Sequence, residues 1–295
     1  MIWRICILAF GTFCAATSVV MTKTSQLQPE HLSAARLITG AIILCPLFIR
    51  DRKRYPEFST TDAFKVSALP SILLAAHFIT WNIGARWTTS ANSTLIVNMI
   101  PVAIPFMGYF ILKERLNGKE SVGTILAILG ISVLAVTDFK LDARLLAGDL
   151  VCVVSMLLMA WYLILARKNK SIPSIWLYLI PLYLTASGIS FFAGLLRTGL
   201  PYSTDPQEWI YILLLGLIPT ALGHSLLNLS MRWFRSQFVA LMNQMQFVYA
   251  GVLGYWFFKE LPSQAFYVAG AFMLTGVLWT ILTHKDTYPH NQELI

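Results

Sequence analysis

The sequence predicts an all-α membrane protein of ten transmembrane helices, arranged as two inverted five-helix repeats. Three observations predict it. The 295 residues are 57% hydrophobic and only 12% charged, with mean hydropathy +0.65, whereas soluble domains carry about 25% charged residues. Apolar runs close to the ~20 residues that cross a bilayer recur near 3–22, 31–49, 66–85, 89–112, 121–137, 149–166, 174–196, 209–230, 236–258 and 264–283, with short connections. Polar residues of the first half return in the second at a constant shift of 146 positions.

The shift is carried by residues that apolar composition cannot align. Asn82, Arg86, Trp87, Ser90, Gly108, Tyr109, Lys113, Glu114 and Gly130 recur as Asn228, Arg232, Trp233, Ser236, Gly254, Tyr255, Lys259, Glu260 and Gly276. Repeats of this kind are characteristic of secondary transporters. Five crossings per copy is an odd number, so the second copy enters the membrane from the opposite side. Lys113-Glu114 then closes the fourth span at one face and Lys259-Glu260 closes the ninth at the other. The expected units are residues 1–140 and 147–285, followed by a cytoplasmic tail, 286–295.

Charge orients the chain. With the N-terminus in the cytoplasm, fifteen of the 22 Lys and Arg fall inside, among them Arg50, Arg52, Lys53, Arg54, Arg167, Lys168 and Lys285. Six fall outside (Lys23, Arg86, Lys140, Arg144, Arg197 and Lys259), and Arg36 lies within the second span. This positive-inside bias predicts two cytoplasmic termini in a bacterial inner (plasma) membrane. It also accounts for the net charge of +8 without a nucleic-acid partner. The first span, preceded by Arg4, reads as a helix and not a cleaved signal, because its removal breaks the five-plus-five symmetry. Cys6, Cys14, Cys45 and Cys152 lie in spans without metal-ligand spacing, and no metal or cofactor is expected.

Polar groups within hydrocarbon are costly unless they find partners or face a wet cavity. Span one offers Thr17 and Ser18. Span three places His77, Trp81 and Gly84 on one face, with Asn82 beside it. Span four places Ser90, Thr94 and Asn98 on a face, and its Pro101 and Pro105 leave the carbonyls of Val97 and Pro101 without their helical donors. In span five Gly123, Ala127 and Gly130 form a small-residue stripe for close packing, as Gly270 and Gly276 do in span ten. Span six carries Trp161 and Tyr162. In span eight Thr220, His224 and Asn228 recur every four residues, and Pro219 frees Leu215. Span nine gathers Asn243, Gln244 and Gln246 at its middle. Trp3, Trp87, Trp209 and Trp233 sit at span ends as interfacial anchors. The expected solute contacts are His77, Trp81, Asn98, Trp161, Tyr162, His224, Asn228 and Gln244. The competing reading is that these groups bond helix to helix, at about 0.6 kcal/mol each.

The Lys-Glu pair closing the fourth helix of each half, the Gly-rich fifth helix, and Gly148-Asp149 leading to Trp161-Tyr162 and Arg167 resemble the drug/metabolite transporter superfamily, in particular its ten-helix EamA-like exporters. The likeness covers about residues 3–283. It implies a transporter that moves a small solute by alternating access, in the export direction. Small multidrug pumps of that superfamily carry a membrane Glu in the first helix, and residues 3–22 here contain no acid.

No Asp or Glu falls in the middle of any span, and only Arg36 brings a base to that depth. A neutral or zwitterionic metabolite, such as an amino acid or a related compound, therefore fits best. Trp81, Trp161 and Tyr162 offer aromatic faces to an ammonium group, with amides and imidazoles left for a carboxylate. Only His77 and His224 titrate near neutrality at that depth, and in apolar surroundings both are expected to stay neutral. A membrane receptor or scaffold has no use for an inverted repeat. An intramembrane enzyme is opposed by the absence of G-x-S-x-G and H-E-x-x-H motifs and by the divergent directions of His224 and Ser225 on a helix. The chain is expected to work as a monomer or weak homodimer, with the bilayer and a small solute as its partners.

The topology is testable by labelling. In a background with the native cysteines replaced, a cysteine at Asn117 is expected to react only from the cytoplasm, and one at Ser263 only from outside. Labelling of both from one face would end the inverted-repeat reading.

Overall fold

The computed structural model describes residues 2–138, 143–201, 203 and 205–283. The tail 286–295, Lys140 and Lys285 lie outside them. Every regular element among the described residues is a helix. We number ten: α1 Ile2–Thr24, α2 Pro29–Arg54, α3 Thr60–Trp87, α4 Ser90–Leu112, α5 Gly118–Asp138, α6 Ala143–Lys168, α7 Ile175–Thr198, α8 Gln207–Trp233, α9 Ser236–Phe258 and α10 Gln264–Thr283. By length and apolar composition, eight of these ten helices, all but α5 and α9, qualify to cross a membrane.

The helix ends follow local chemistry. Ser59 and Thr89 accept the backbone N–H of Asp62 and Asn92 and so start α3 and α4. Pro29 opens α2 at a position where its missing N–H costs nothing. At the end of α4 the chain turns through Lys113 in the left-handed region (φ 58°), and at the end of α9 through Lys259 (φ 57°). Such a residue is usually glycine; a side chain there costs about 1–2 kcal/mol. The turn closes with the Glu114 N–H donating to Gly108 O at 3.1 Å and the Glu260 N–H donating to Gly254 O at 3.3 Å.

That turn aims two carboxylates across the molecule. Glu114 accepts from Arg167 Nε (3.2 Å) and from the Ser236 hydroxyl (2.9 Å), at the start of α9. Glu260 accepts from Lys23 Nζ (2.6 Å) and from the Ser90 N–H (2.8 Å), at the start of α4. Each of α4 and α9 thus ends in an acid that binds the first residue of the other, so the two helices run antiparallel.

Both helices are broken at matching places. α4 comprises Ser90–Val97 and Ile100–Leu112, and α9 comprises Ser236–Asn243 and Gln246–Phe258; every one of these bounds recurs after 146 positions. In α4 the break follows from Pro101, while Pro105 is absorbed in the helix. α9 has no proline at its break. There, short-range bonds such as Gln244 N–H to Leu241 O (3.2 Å) and Met245 N–H to Met242 O (3.2 Å) replace the regular ladder. α1 is interrupted at Thr17, whose hydroxyl donates to Cys14 O at 2.7 Å.

Pro219 has a larger effect than a kink. Residues Gly216–His224 of α8 form a π-helical stretch, and the Leu215 carbonyl is taken by the Thr220 hydroxyl at 2.7 Å. A wide turn at a proline is a common location for function. Small residues let other helices approach backbone to backbone. A Cβ on Gly130 would lie 2.8 Å from Ala269 O, and one on Gly276 would lie 3.0 Å from Gly123 O; these are equivalent contacts of α5 and α10. A backbone carbonyl cannot step aside, so Gly130→Leu and Gly276→Leu are each expected to destabilise the protein by about 1–3 kcal/mol. The loss would be read as a lower melting temperature in detergent; an unchanged value would show that the α5–α10 seam has room for a side chain.

Candidate functional site

Between α1, α3, α4, α6, α8 and α9 lies a cavity of about 30 Å³, lined by Ala15, Ser18, His77, Phe78, Trp81, Val97, Asn98, Ile100, Met159, His224, Leu227, Asn243 and Gln246. At about 10–15 Å³ per water, it holds two or so. It brings together His77, Trp81, Asn98 and His224 of the eight sequence-expected contacts.

The breaks in α4 and α9 form one wall. Gln246 Nε2 donates to Asn243 Oδ1 at 2.6 Å, Asn243 Nδ2 donates to Asn98 Oδ1 at 2.6 Å, and Asn98 Nδ2 donates to Thr94 O at 2.8 Å. This chain of amides ties the two interruptions together across the antiparallel pair. It also accounts for a polar row at a depth where a lone amide would be costly.

The opposite wall carries imidazoles and aromatics. His77 Nδ1 lies 2.8 Å from the Ser155 hydroxyl and 3.0 Å from Ser155 O, while that hydroxyl also lies 3.0 Å from His77 O. Ser155 thus fixes the ring through Nδ1 and does not engage Nε2. The His224 ring stands 6.3 Å from that of His77 and edge-on to Phe78 at 4.8 Å, and its Nδ1 is buried without a hydrogen-bond partner.

The other expected contacts lie elsewhere. Asn228 Nδ2 donates to the Tyr162 hydroxyl and to His224 O, both at 2.6 Å, behind the cavity wall. Tyr162 is fully buried, whereas its neighbour Trp161 is 44% exposed on the outer surface of α6. Adjacent residues on a helix point about 100° apart, so one faces in and the other out. Gln244 sits in the α9 break, fully buried, with neither end of its amide bonded. Ser18, Asn243 and Gln246 had a sequence signal as polar residues in mid-span. Phe78 and Met159 had none, because an apolar residue in an apolar helix is unmarked. Among the described residues no three His, Cys, Asp or Glu side chains gather as metal ligands.

Asn82, the repeat counterpart of Asn228, binds Pro29 O (3.1 Å) and Ser33 Oγ (2.9 Å) and therefore joins α3 to α2 away from the cavity. Arg86 holds the α1–α2 connection through Thr22 O, Ser25 O and Leu27 O, and Arg232 holds the α6–α7 connection through Ile172 O. Tyr162→Phe removes the hydroxyl that receives Asn228 and is expected to cost about 1–2 kcal/mol of stability. Chemical or thermal denaturation of the purified protein measures this, and no change would mean that Asn228 finds another acceptor.

The EamA-like transporter family model matches residues 1–136 and again 146–282. An uncharacterized transporter of Bacillus subtilis, YetK, is 23% identical over 97% of this chain and 89% of its own length. An uncharacterized transporter of Archaeoglobus fulgidus is 25% identical over 94% of this chain and 98% of its own. A solved crystal structure superposes with TM-score 0.74 over 95% of this chain and 98% of that one, at 16% identity, a likeness of fold. Two matches of one family model, spaced as the repeated residues are, and relatives matched over nearly their whole length lead to one assignment: the chain is a multi-pass membrane protein of the EamA-like transporter family.

Proposed function

We propose that the protein moves small neutral or zwitterionic metabolites, amino acids or related compounds, across a bacterial inner membrane by alternating access, in the export direction. Residues 1–140 and 147–285 are its two inverted halves, and both termini are cytoplasmic. The observation that carries this reading is the cavity between α3 and α4 of one half and α8 and α9 of the other, lined by His77, Trp81, Asn98 and His224. Asn228 and Tyr162 hold the His224 turn from behind, while Trp161 and Gln244 are farther from the solute. Export is supported by the resemblance to EamA-like exporters.

The two carboxylates supply the closures. On the inverted topology Glu114, Arg167 and Ser236 form a cytoplasmic cluster, and Glu260, Lys23 and Ser90 form an external one. Since α4 and α9 carry one closure each at opposite ends, loosening one while the other holds opens the cavity to a single face. With about 30 Å³ against the ~300 Å³ or more of a small-molecule pocket, the cavity is contracted, and a solute enters only with such a movement. No acid lines it, which leaves His77, tied through Nδ1 to Ser155, and His224 as its titratable side chains.

Solute flux in proteoliposomes tests this. Wild type is expected to equilibrate its solute without another protein, with a pH gradient changing the rate modestly and driving no accumulation. Trp81→Ala, which removes an aromatic wall, is expected to reduce flux at least tenfold with normal insertion. Normal flux in both Trp81→Ala and Asn228→Ala would assign these residues to helix packing. Uphill transport driven by the gradient, and lost in His77→Gln/His224→Gln, would make the histidines the coupling site.

A further inference from the structure

Arg36 is fully buried in α2. Its Nε donates to the Thr220 hydroxyl at 3.0 Å, and its guanidinium carbon stacks 4.0 Å from the centre of the Phe78 ring. Nη1 and Nη2 are buried and have no hydrogen-bond partner. None of the ion pairs among the described residues involves it. The buried acids nearest the helix ends are already engaged: Glu30 with Arg197, and Glu208 with Ser25 and the Gln26 N–H. A guanidinium in a membrane interior without a counter-anion is costly and marks function by default.

The surroundings are built to hold this charge. Gly40 lets α2 approach α8 so closely that a Cβ there would lie 2.8 Å from Thr220 Cγ2. Pro219 leaves the Leu215 carbonyl free, the Thr220 hydroxyl donates to it, and the same oxygen accepts from Arg36. Nε is thereby pinned, and the two-pronged Nη end, the geometry that matches a carboxylate, is left over. Phe78 is the partition: it stacks on the guanidinium and also lines the solute cavity with His77 and His224.

We propose that Arg36 is the receptor for a carboxylate on the transported solute, uncovered when Phe78 swings aside as the cavity opens. This rests on the transport reading above and narrows it: the solute carries a carboxylate, so amines and uncharged sugars are excluded. With no lysine or second arginine in the cavity lining, a single guanidinium balances one negative charge, as a carboxylate supplies, and not the two of a phosphate monoester. When the solute is an amino acid, its ammonium group is left to the face of Trp81.

The test uses the full chain in proteoliposomes and three probe sets: phenylalanine, leucine and threonine, each with its amide and with the acid that lacks the amine. Wild type is expected to move carboxylate-bearing members of at least one set at least tenfold faster than the amide. Arg36→Gln is expected to erase that preference by slowing the carboxylates, with Arg36→Lys intermediate. Should the Arg36 variants fail to insert, the wild-type comparison and Phe78→Ala, expected to change the ratio of carboxylate to amide flux, decide the matter. Equal movement of acids and amides by wild type would overturn the carboxylate receptor and leave the transporter standing. No movement of any probe would overturn both the receptor and the solute class.

Discussion

The reciprocal bonds of Glu114 and Glu260 are the constraint on which the rest of the structure depends. Each acid follows a left-handed lysine at the end of one broken helix and binds the start of the other. A carboxylate at a helix N-terminus is favoured because the first amide hydrogens have no partner within the helix. Here Glu260 meets the Ser90 amide at the start of α4 and Glu114 meets the Ser236 hydroxyl at the start of α9, which fixes the two helices antiparallel and in register. Arg167 and Lys23 complete the two clusters and attach α6 to one and α1 to the other.

That register makes broken backbone tolerable at membrane depth. Interrupted helices expose carbonyls and amides that lipid cannot satisfy. Because α4 and α9 are held antiparallel, their interruptions meet, and the Gln246–Asn243–Asn98 amides bridge them. The polar residues in the middle of these helices are thus partly structural. The same bonds that offset the broken ladder leave amide edges on the cavity wall, so the packing of Asn98 and the solute contact proposed for it draw on one side chain.

α8 solves the same problem differently. Its proline opens a π-helical turn whose freed carbonyl is met by Thr220, and that hydroxyl steadies Arg36. Among the described residues no anion pairs with the charge this brings beneath Phe78. The cavity above combines imidazole, amide and indole with no acid, a lining that suits a solute bringing its own negative group.

Much was determined by the sequence alone. Helix number and approximate ends follow from apolar run length, since hydrocarbon thickness permits little variation. The 146-residue shift foretold equivalent turns at Lys113 and Lys259, because the same local sequence closes a helix in the same way. Proline marked the interruptions of α4 and α8 through its missing N–H. The interruption of α9 was decided by tertiary structure: nothing in Asn243–Gln246 forbids a helix, and it takes the amides of α4 opposite to stabilise one without its ladder. The same break turned Gln244 from the cavity and Asn243 and Gln246 toward it. Which of Trp161 and Tyr162 faces inward depends on the rotation of α6 about its axis, set by packing against α3 and not by pattern in a helix apolar all round. Arg36 was visible as a base in mid-span. Its stacking on Phe78 came from the approach of α2 to α3, and its pinned Nε from the approach of α2 to α8 near Gly40, between residues 184 positions apart in the chain.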